Sequence, residues 1–234
     1  MHLIYRWSLV ALRAGFVPYW VPHLRGLENV PQQGGVILVC NHPTVLDGLI
    51  LGSVLPRQIR FLISQEPLRV PGVGWWLKAL GFIPVGKGVA AMDVAQACLA
   101  QGDCLGIFPE AVPTHSYTLK PFRTGVAVLA QKSGVPIIPV TIYGSEELCP
   151  GDAKMVRGGP VLIQFGQPFY WQSSDTVEDF LSRLRSAIEA PLLAPRPQLP
   201  RPKGLKHSLL KAVWQPVSWA FLKLADWARP GGVR

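Results

Sequence analysis

Short runs rich in β-branched and aromatic residues alternate along this chain with segments of helical period, and that alternation restricts the fold more than any other feature. The strand-like runs are Val36–Cys40, Ile59–Ile63, Phe82–Val85, Cys104–Phe108, Ile137–Tyr143 and Val161–Phe165. The helix-like segments are Leu46–Leu55, Met92–Ala100, Phe122–Lys132 and Thr176–Ala190. The pattern predicts an α/β domain with a mostly parallel central sheet flanked by helices. Sites in such sheets lie beyond the carboxyl ends of strands. His42 follows one such end, in Val39-Cys40-Asn41-His42, and Glu110 follows another, in Ile107-Phe108-Pro109-Glu110.

At 234 residues the chain can bury one sizeable core and still carry appendages. Its charged content of 16% and apolar content of 49% argue against disorder. No repeat of solenoid or propeller spacing is present. Cys40, Cys98, Cys104 and Cys149 show no C-x-x-C spacing, and the histidines are scattered. The cysteines read as buried thiols in a reducing compartment, and no metal site is expected.

The net charge of +9 is concentrated at one end. From Arg196 onward, eight Lys and Arg stand against the single acid Asp226, while the rest of the chain is close to neutral. Within this tail Leu205, Leu209, Leu210, Val213, Trp214, Val217 and Phe221 recur at roughly helical spacing, interrupted by Pro216. Trp214, Trp219 and Trp227 are interleaved with Lys206, Lys211 and Lys223, the composition of a segment lying at a bilayer interface. The alternative is a docked helix with a solvated basic face.

The N-terminus, Met1 to Arg13, is also amphipathic. Arg6 and Arg13 interrupt its apolar stretch, and the uncharged residues between Arg13 and Arg25 are too few to span a bilayer, which takes about 20. The expected organisation is an amphipathic region over 1–24, a core domain over 25–190, a Pro-rich linker over 191–203 and a basic amphipathic tail over 204–234. Such a protein would sit peripherally on the cytoplasmic, anionic face of a membrane through both ends. The tail's leucine-rich face, with few basic residues around the core, argues against nucleic acid.

Asn41-His42-Pro43-Thr44-Val45-Leu46-Asp47 carries the candidate chemistry. Residues five apart on a continuous helix differ by about 140° in azimuth and cannot face each other. They meet if His42 lies in a strand-to-helix turn and Asp47 at the helix start, as Pro43 favours. Asp47 would then accept from one ring nitrogen and leave the other as a base. No G-x-S-x-G elbow occurs, and no cysteine adjoins a histidine, so the implied reaction is direct attack by a substrate hydroxyl. On spacing alone, a structural turn histidine is the simpler reading.

The segment resembles the N-H-x-x-x-x-D block of the glycerolipid acyltransferases of the lysophosphatidate acyltransferase (PlsC) type. Further blocks follow in order. Gly81-Phe82-Ile83-Pro84-Val85-Gly86-Lys87 resembles the second, which usually ends in arginine. Phe108-Pro109-Glu110-Ala111-Val112-Pro113-Thr114 resembles F-P-E-G-T-R-S, Pro121-Phe122-Arg123-Thr124-Gly125 the F-K-x-G turn after it, and Val135-Pro136-Ile137-Ile138-Pro139-Val140 the V-P-I-I-P-V block. The resemblance spans about residues 25–170. It implies transfer of an acyl group from acyl-CoA or acyl carrier protein to a lysolipid hydroxyl, by default that of 1-acylglycerol-3-phosphate. It also implies His42 as general base, Asp47 as its orienting partner, and Asn41, Lys87, Phe108, Pro109, Glu110 and Arg123 as substrate-binding residues. No metal or bound cofactor is implied.

The third block departs from its family. Ala111 stands for glycine, Val112 for threonine and Pro113 for the arginine that, by resemblance, helps hold the acceptor's phosphate. Proline has neither charge nor N–H donor. Lys87, Lys120 and Arg123 are the candidate replacement cations, and His115 a candidate polar contact. Glu110 would bind an acceptor hydroxyl, brace the site, or simply cap a turn. The changes also fit a phosphate-free acceptor (glycolipid, aminolipid or pigment alcohol) or a catalytically silent lipid-binding protein.

Overall fold

The computed structural model describes residues 3–16, 20–63, 65–69, 73–84, 89–150, 157–195 and 198–199. Among them, β1 (Pro22–Arg25), β2 (Val36–Cys40), β3 (Ile59–Ile63), β4 (Phe82–Pro84), β5 (Cys104–Ile107), β6 (Ile137–Tyr143) and β7 (Val161–Phe165) form one sheet. Its order is β1-β7-β6-β2-β5-β3-β4. The strands from β6 to β4 in that order are parallel, whereas β7 runs against β6 and carries β1 parallel to itself. The sheet is therefore mostly parallel and flanked by helices on both faces. These are α1 (Leu3–Phe16), α2 (Asp47–Val54), α3 (Val73–Ala79), α4 (Val89–Ala100), α5 (Gly125–Ser133), α6 (Ser145–Leu148) and α7 (Val177–Leu193).

Strands covered on both faces read as unbroken apolar runs, and β2 and β6 are buried at every position. The strand pleat sorts β2 between two cores. Val36, Leu38 and Cys40 pack with Tyr5, Leu9 and Leu12 of α1 and with α2, while Ile37 and Val39 pack with α4, α5 and α7. Pro139 sits within β6, where proline is unusual. It falls in the gap between the β7 ladder, which ends at Val140–Phe165, and the Ile137–Phe169 bridge. Its missing N–H therefore interrupts no pairing there, and its carbonyl accepts from Gly166 N–H at 2.8 Å.

The element boundaries depart from expectation in physically explicable places. The expected core begins too late, because Pro22–Arg25 pairs with β7 as an edge strand too short to show alternation. The helix expected from Phe122 starts at Gly125, since Arg123 N–H is held by Pro109 C=O at 3.0 Å in the preceding loop. The expected linker begins too early, because α7 continues through Pro191 to Leu193. Hydroxyls of β6 tie down carbonyls of its last turns: Thr141 Oγ1 donates to Ile188 C=O at 3.0 Å, and Tyr143 OH donates to Pro191 C=O at 2.8 Å. Most of the expected linker from 196 on and the basic tail over 204–234 lie outside the described residues, as does Lys87.

Candidate active site

β5 enters the sheet between β2 and β3, so the segments leaving β2 and β5 are spatial neighbours. The first carries Asn41-His42, the second Phe108-Pro109-Glu110. His42 lies in the turn after β2 and Asp47 opens α2, the arrangement that brings a pair spaced by five together. His42 Nδ1 is 2.9 Å from Asp47 Oδ2. An ionised carboxylate can only accept, so Nδ1 carries the hydrogen and Nε2 keeps its lone pair. Asp47 is fully buried, and the same Oδ2 accepts Thr44 N–H at 2.8 Å. Thr44 Oγ1 in turn accepts Leu46 N–H at 2.9 Å. The turn is thus locked by its own side chains before the helix begins. Thr44-x-x-Asp47 has a capping-box spacing, a signal present in the sequence itself.

The imidazole stacks on the ring of Phe108, with centroids 4.0 Å apart and planes 17° from parallel. Phe108 stacks on Phe61 at 5.6 Å, and Phe61 on Phe82 at 5.0 Å. The resulting aromatic column fixes the ring plane of His42 from one side. Its register depends on Gly106 of β5, directly across from Phe61 of β3.

Glu110 is buried, and both its oxygens are occupied. Oε1 accepts His42 N–H at 3.1 Å and Oε2 accepts Lys120 N–H at 2.7 Å. It is therefore placed as a brace between the turn of the dyad and the loop after β5. That loop closes over the turn through Thr114 N–H to His42 C=O at 2.9 Å and His115 N–H to Pro43 C=O at 3.0 Å. Two non-glycine residues in it, Ala111 and His115, have positive φ of 65° and 52°.

Asn41, expected to touch substrate, is instead buried against β6. Its Nδ2 donates to Ile142 C=O at 3.0 Å and its Oδ1 accepts Ile142 N–H at 2.7 Å. The side chain continues the sheet ladder past the end of β2 and is spent on backbone. Pro109 contributes its carbonyl to Arg123 N–H, and the Arg123 side chain is exposed. Lys120 is likewise exposed, and Val112 and Pro113 lie beside it on the same loop.

Cys40, two residues before His42, is excluded as a nucleophile. Burial, and then the neighbouring Asp47 carboxylate, push its thiol well above the usual range, so the thiolate is absent near neutral pH. What the site offers is a buried aspartate, an oriented imidazole with one free basic nitrogen, and an aromatic wall.

A family model described as Acyltransferase matches residues 21–143, which cover both halves of this site. The chain is 27% identical over 169 residues to a chloroplastic 1-acyl-sn-glycerol-3-phosphate acyltransferase of Brassica napus, covering 69% of this chain and 49% of the relative. It is 27% identical over 161 residues to 1-acyl-sn-glycerol-3-phosphate acyltransferase of Bacillus subtilis, covering 65% of this chain and 77% of that protein. It thus spans about half the length of the plant relatives it matches. The crystal structure of the 1-acyl-sn-glycerophosphate acyltransferase PlsC from Thermotoga maritima shares its fold, with a TM-score of 0.71 over 83% of each chain at 22% identity. Together with the ordered sequence blocks and the α/β architecture that carries them, the match over more than half its length shows that this chain belongs to the Acyltransferase family.

Proposed function

We propose that the protein transfers a fatty acyl group from an acyl thioester, on coenzyme A or acyl carrier protein, to the free hydroxyl of a lysolipid, with 1-acylglycerol-3-phosphate as acceptor. The observation that carries this reading is the His42–Asp47 pair, whose 2.9 Å contact commits Nδ1 and leaves Nε2 basic. Nε2 takes the proton of the acceptor hydroxyl as its oxygen attacks the thioester carbonyl carbon. The tetrahedral intermediate collapses with cleavage of the C–S bond, and the imidazolium returns the proton to the departing thiolate. Asp47, buried and with Oδ1 unpartnered among the described residues, stabilises the imidazolium while it exists. The names of the curated relatives support the acceptor, and the lipid nature of acceptor and product supports work at an anionic membrane surface. Among the described residues, no helix is long and apolar enough to cross a membrane.

A phosphate-free hydroxyl lipid is the second reading. It is favoured by two positions of the loop that covers the dyad, Val112, which is 40% exposed, and Pro113, neither of which offers a cation to an anionic head group. Labelled acyl-CoA with a panel of lysolipids, some with phosphate and some without, tests both readings. Product is expected with at least one acceptor, and the preferred head group decides between them. His42→Ala and Asp47→Asn should each lower turnover on the order of 10²–10⁴-fold with the fold intact. Undiminished turnover in folded His42→Ala protein rejects the base assignment.

A further inference from the structure

We propose that Arg185 of α7 is a positioning residue for the dyad, acting through the loop that follows β5. Between Phe108 and Thr124 the chain forms neither helix nor strand, so its conformation rests on contacts with the elements around it. Arg185 grips one stretch of this loop at several points. Its Nη2 donates to Leu119 C=O at 2.8 Å, its Nη1 donates to Lys120 C=O at 3.0 Å, and its guanidinium lies over the Phe122 ring at 5.7 Å. The planar fork of arginine suits two adjacent carbonyls, a pair that the point charge of a lysine does not match. Glu189 Oε1, one helical turn on, is 3.3 Å from the same Nη2 and steadies the fork. Beside these bonds the Leu119 side chain is buried with Phe180, Leu184 and Ile188 of α7.

These bonds bear on the dyad because Lys120 is held on both sides of its backbone. Its C=O accepts from Arg185, and its N–H donates to Glu110 Oε2 at 2.7 Å. The other oxygen of Glu110 accepts His42 N–H at 3.1 Å. A continuous run of contacts therefore leads from α7 through Lys120 and Glu110 to the backbone of His42. Its far end is firmly anchored: Thr176 Oγ1 accepts Asp179 N–H at 3.1 Å and caps α7, and Thr141 of β6 binds Ile188 C=O. Without the fork, Lys120 is free to turn, buried Glu110 loses a donor, and the carboxylate that orients the His42 backbone loosens. The basic Nε2 must meet a hydroxyl within hydrogen-bond reach, so a small displacement of that backbone falls on the chemical step more than on substrate binding. Arg183, two positions earlier on the same helix, provides a matched comparison. It pairs with Asp175 and lies over the rings of Phe169 and Phe180, contacts that do not involve the loop after β5.

The role rests on the acyl-transfer reading, and the test separates the two. Arg185→Met, Arg183→Met and Glu110→Gln are assayed singly in the full chain with labelled acyl-CoA and the acceptor panel, and Arg185→Met also in the Glu110→Gln background. Arg185→Met should lower kcat roughly tenfold or more, with smaller changes in either KM. Arg183→Met should leave kcat unchanged. In the double variant Arg185→Met should add little to the loss that Glu110→Gln already causes, since both break the same run. Amide hydrogen exchange, read by mass spectrometry without turnover, should quicken over residues 42–47 in Arg185→Met and stay unchanged there in Arg183→Met. Arg185→Lys, which keeps the charge and loses the fork, carries the same test where Arg185→Met does not fold. Undiminished kcat in the folded Arg185 variant overturns the proposal. So do equal losses in the two arginine variants, additive losses in the double variant, or unchanged exchange over 42–47. Quickened exchange in Arg185→Met, with no acyl transfer by the unaltered chain to any acceptor, rejects the proposed activity and leaves the link between α7 and the dyad standing.

Discussion

A side chain at Gly106 would overlap the ring of Phe61, because β5 lets that ring lie across its backbone at the point where the two residues face each other. The ring is then in stacking reach of Phe108, and Phe108 of His42. Gly106→Ala should push Phe61 out of register and cost about 1–3 kcal/mol. Because the displaced ring supports the imidazole's wall, turnover should fall as well. Denaturant midpoints and kcat on the same preparation check this; a stability loss without loss of turnover would detach the column from catalysis.

Glu110 spends both oxygens on backbone N–H groups, those of His42 and Lys120. Glu110→Gln sets an amide donor against one of them and leaves a buried pair of donors face to face. A loss of roughly 1–3 kcal/mol is expected, with kcat falling more than KM for the acceptor rises. A raised KM at unchanged melting temperature would instead mark Glu110 as an acceptor ligand.

Ala111 holds φ of 65°, a region where its Cβ crowds the following carbonyl. Ala111→Gly should therefore stabilise the protein by about 1 kcal/mol, less the added freedom of the unfolded chain. Urea denaturation reads the sign directly, and destabilisation would show that the loop's conformation costs nothing.

Burial pushes the Cys104 thiol up from 9.0 to about 12, and Cys40 is raised by burial and by Asp47. Above pH 9 the unfolded chain releases these protons while the folded chain keeps them. The stabilisation they give is complete below that pH and declines from about 9 to 12. Cys104→Ser should flatten the alkaline arm of the stability curve. At pH 8 neither thiol should react with iodoacetamide until the protein is unfolded, which mass spectrometry resolves residue by residue.

Much of this architecture is legible in the chain because it is local. The apolar runs of β2 and β6 mark buried strands, and a histidine placed after one strand and an aspartate opening the next helix need only the turn between them to meet. Thr44 belongs to the same local grammar. By contrast, β1 left no pattern, since a four-residue edge strand is too short to display alternation. The continuation of α7 past Pro191 is equally silent, because the hydroxyls that bind its last carbonyls come from β6.

The sequence by itself determined the fold class, through hydrophobic period, and set His42 and Asp47 on one short segment where a strand-to-helix turn could join them. Only the tertiary structure decided what the partners around that pair do. The position of β5 beside β2 turns Glu110 into a brace for a residue 68 positions away. The reach of Asn41 to β6 makes it part of the ladder, and the packing of α1 on the core separates its buried stripe from its exposed one. Each of these depends on which strands and helices become neighbours, a consequence of sheet order that no single segment encodes.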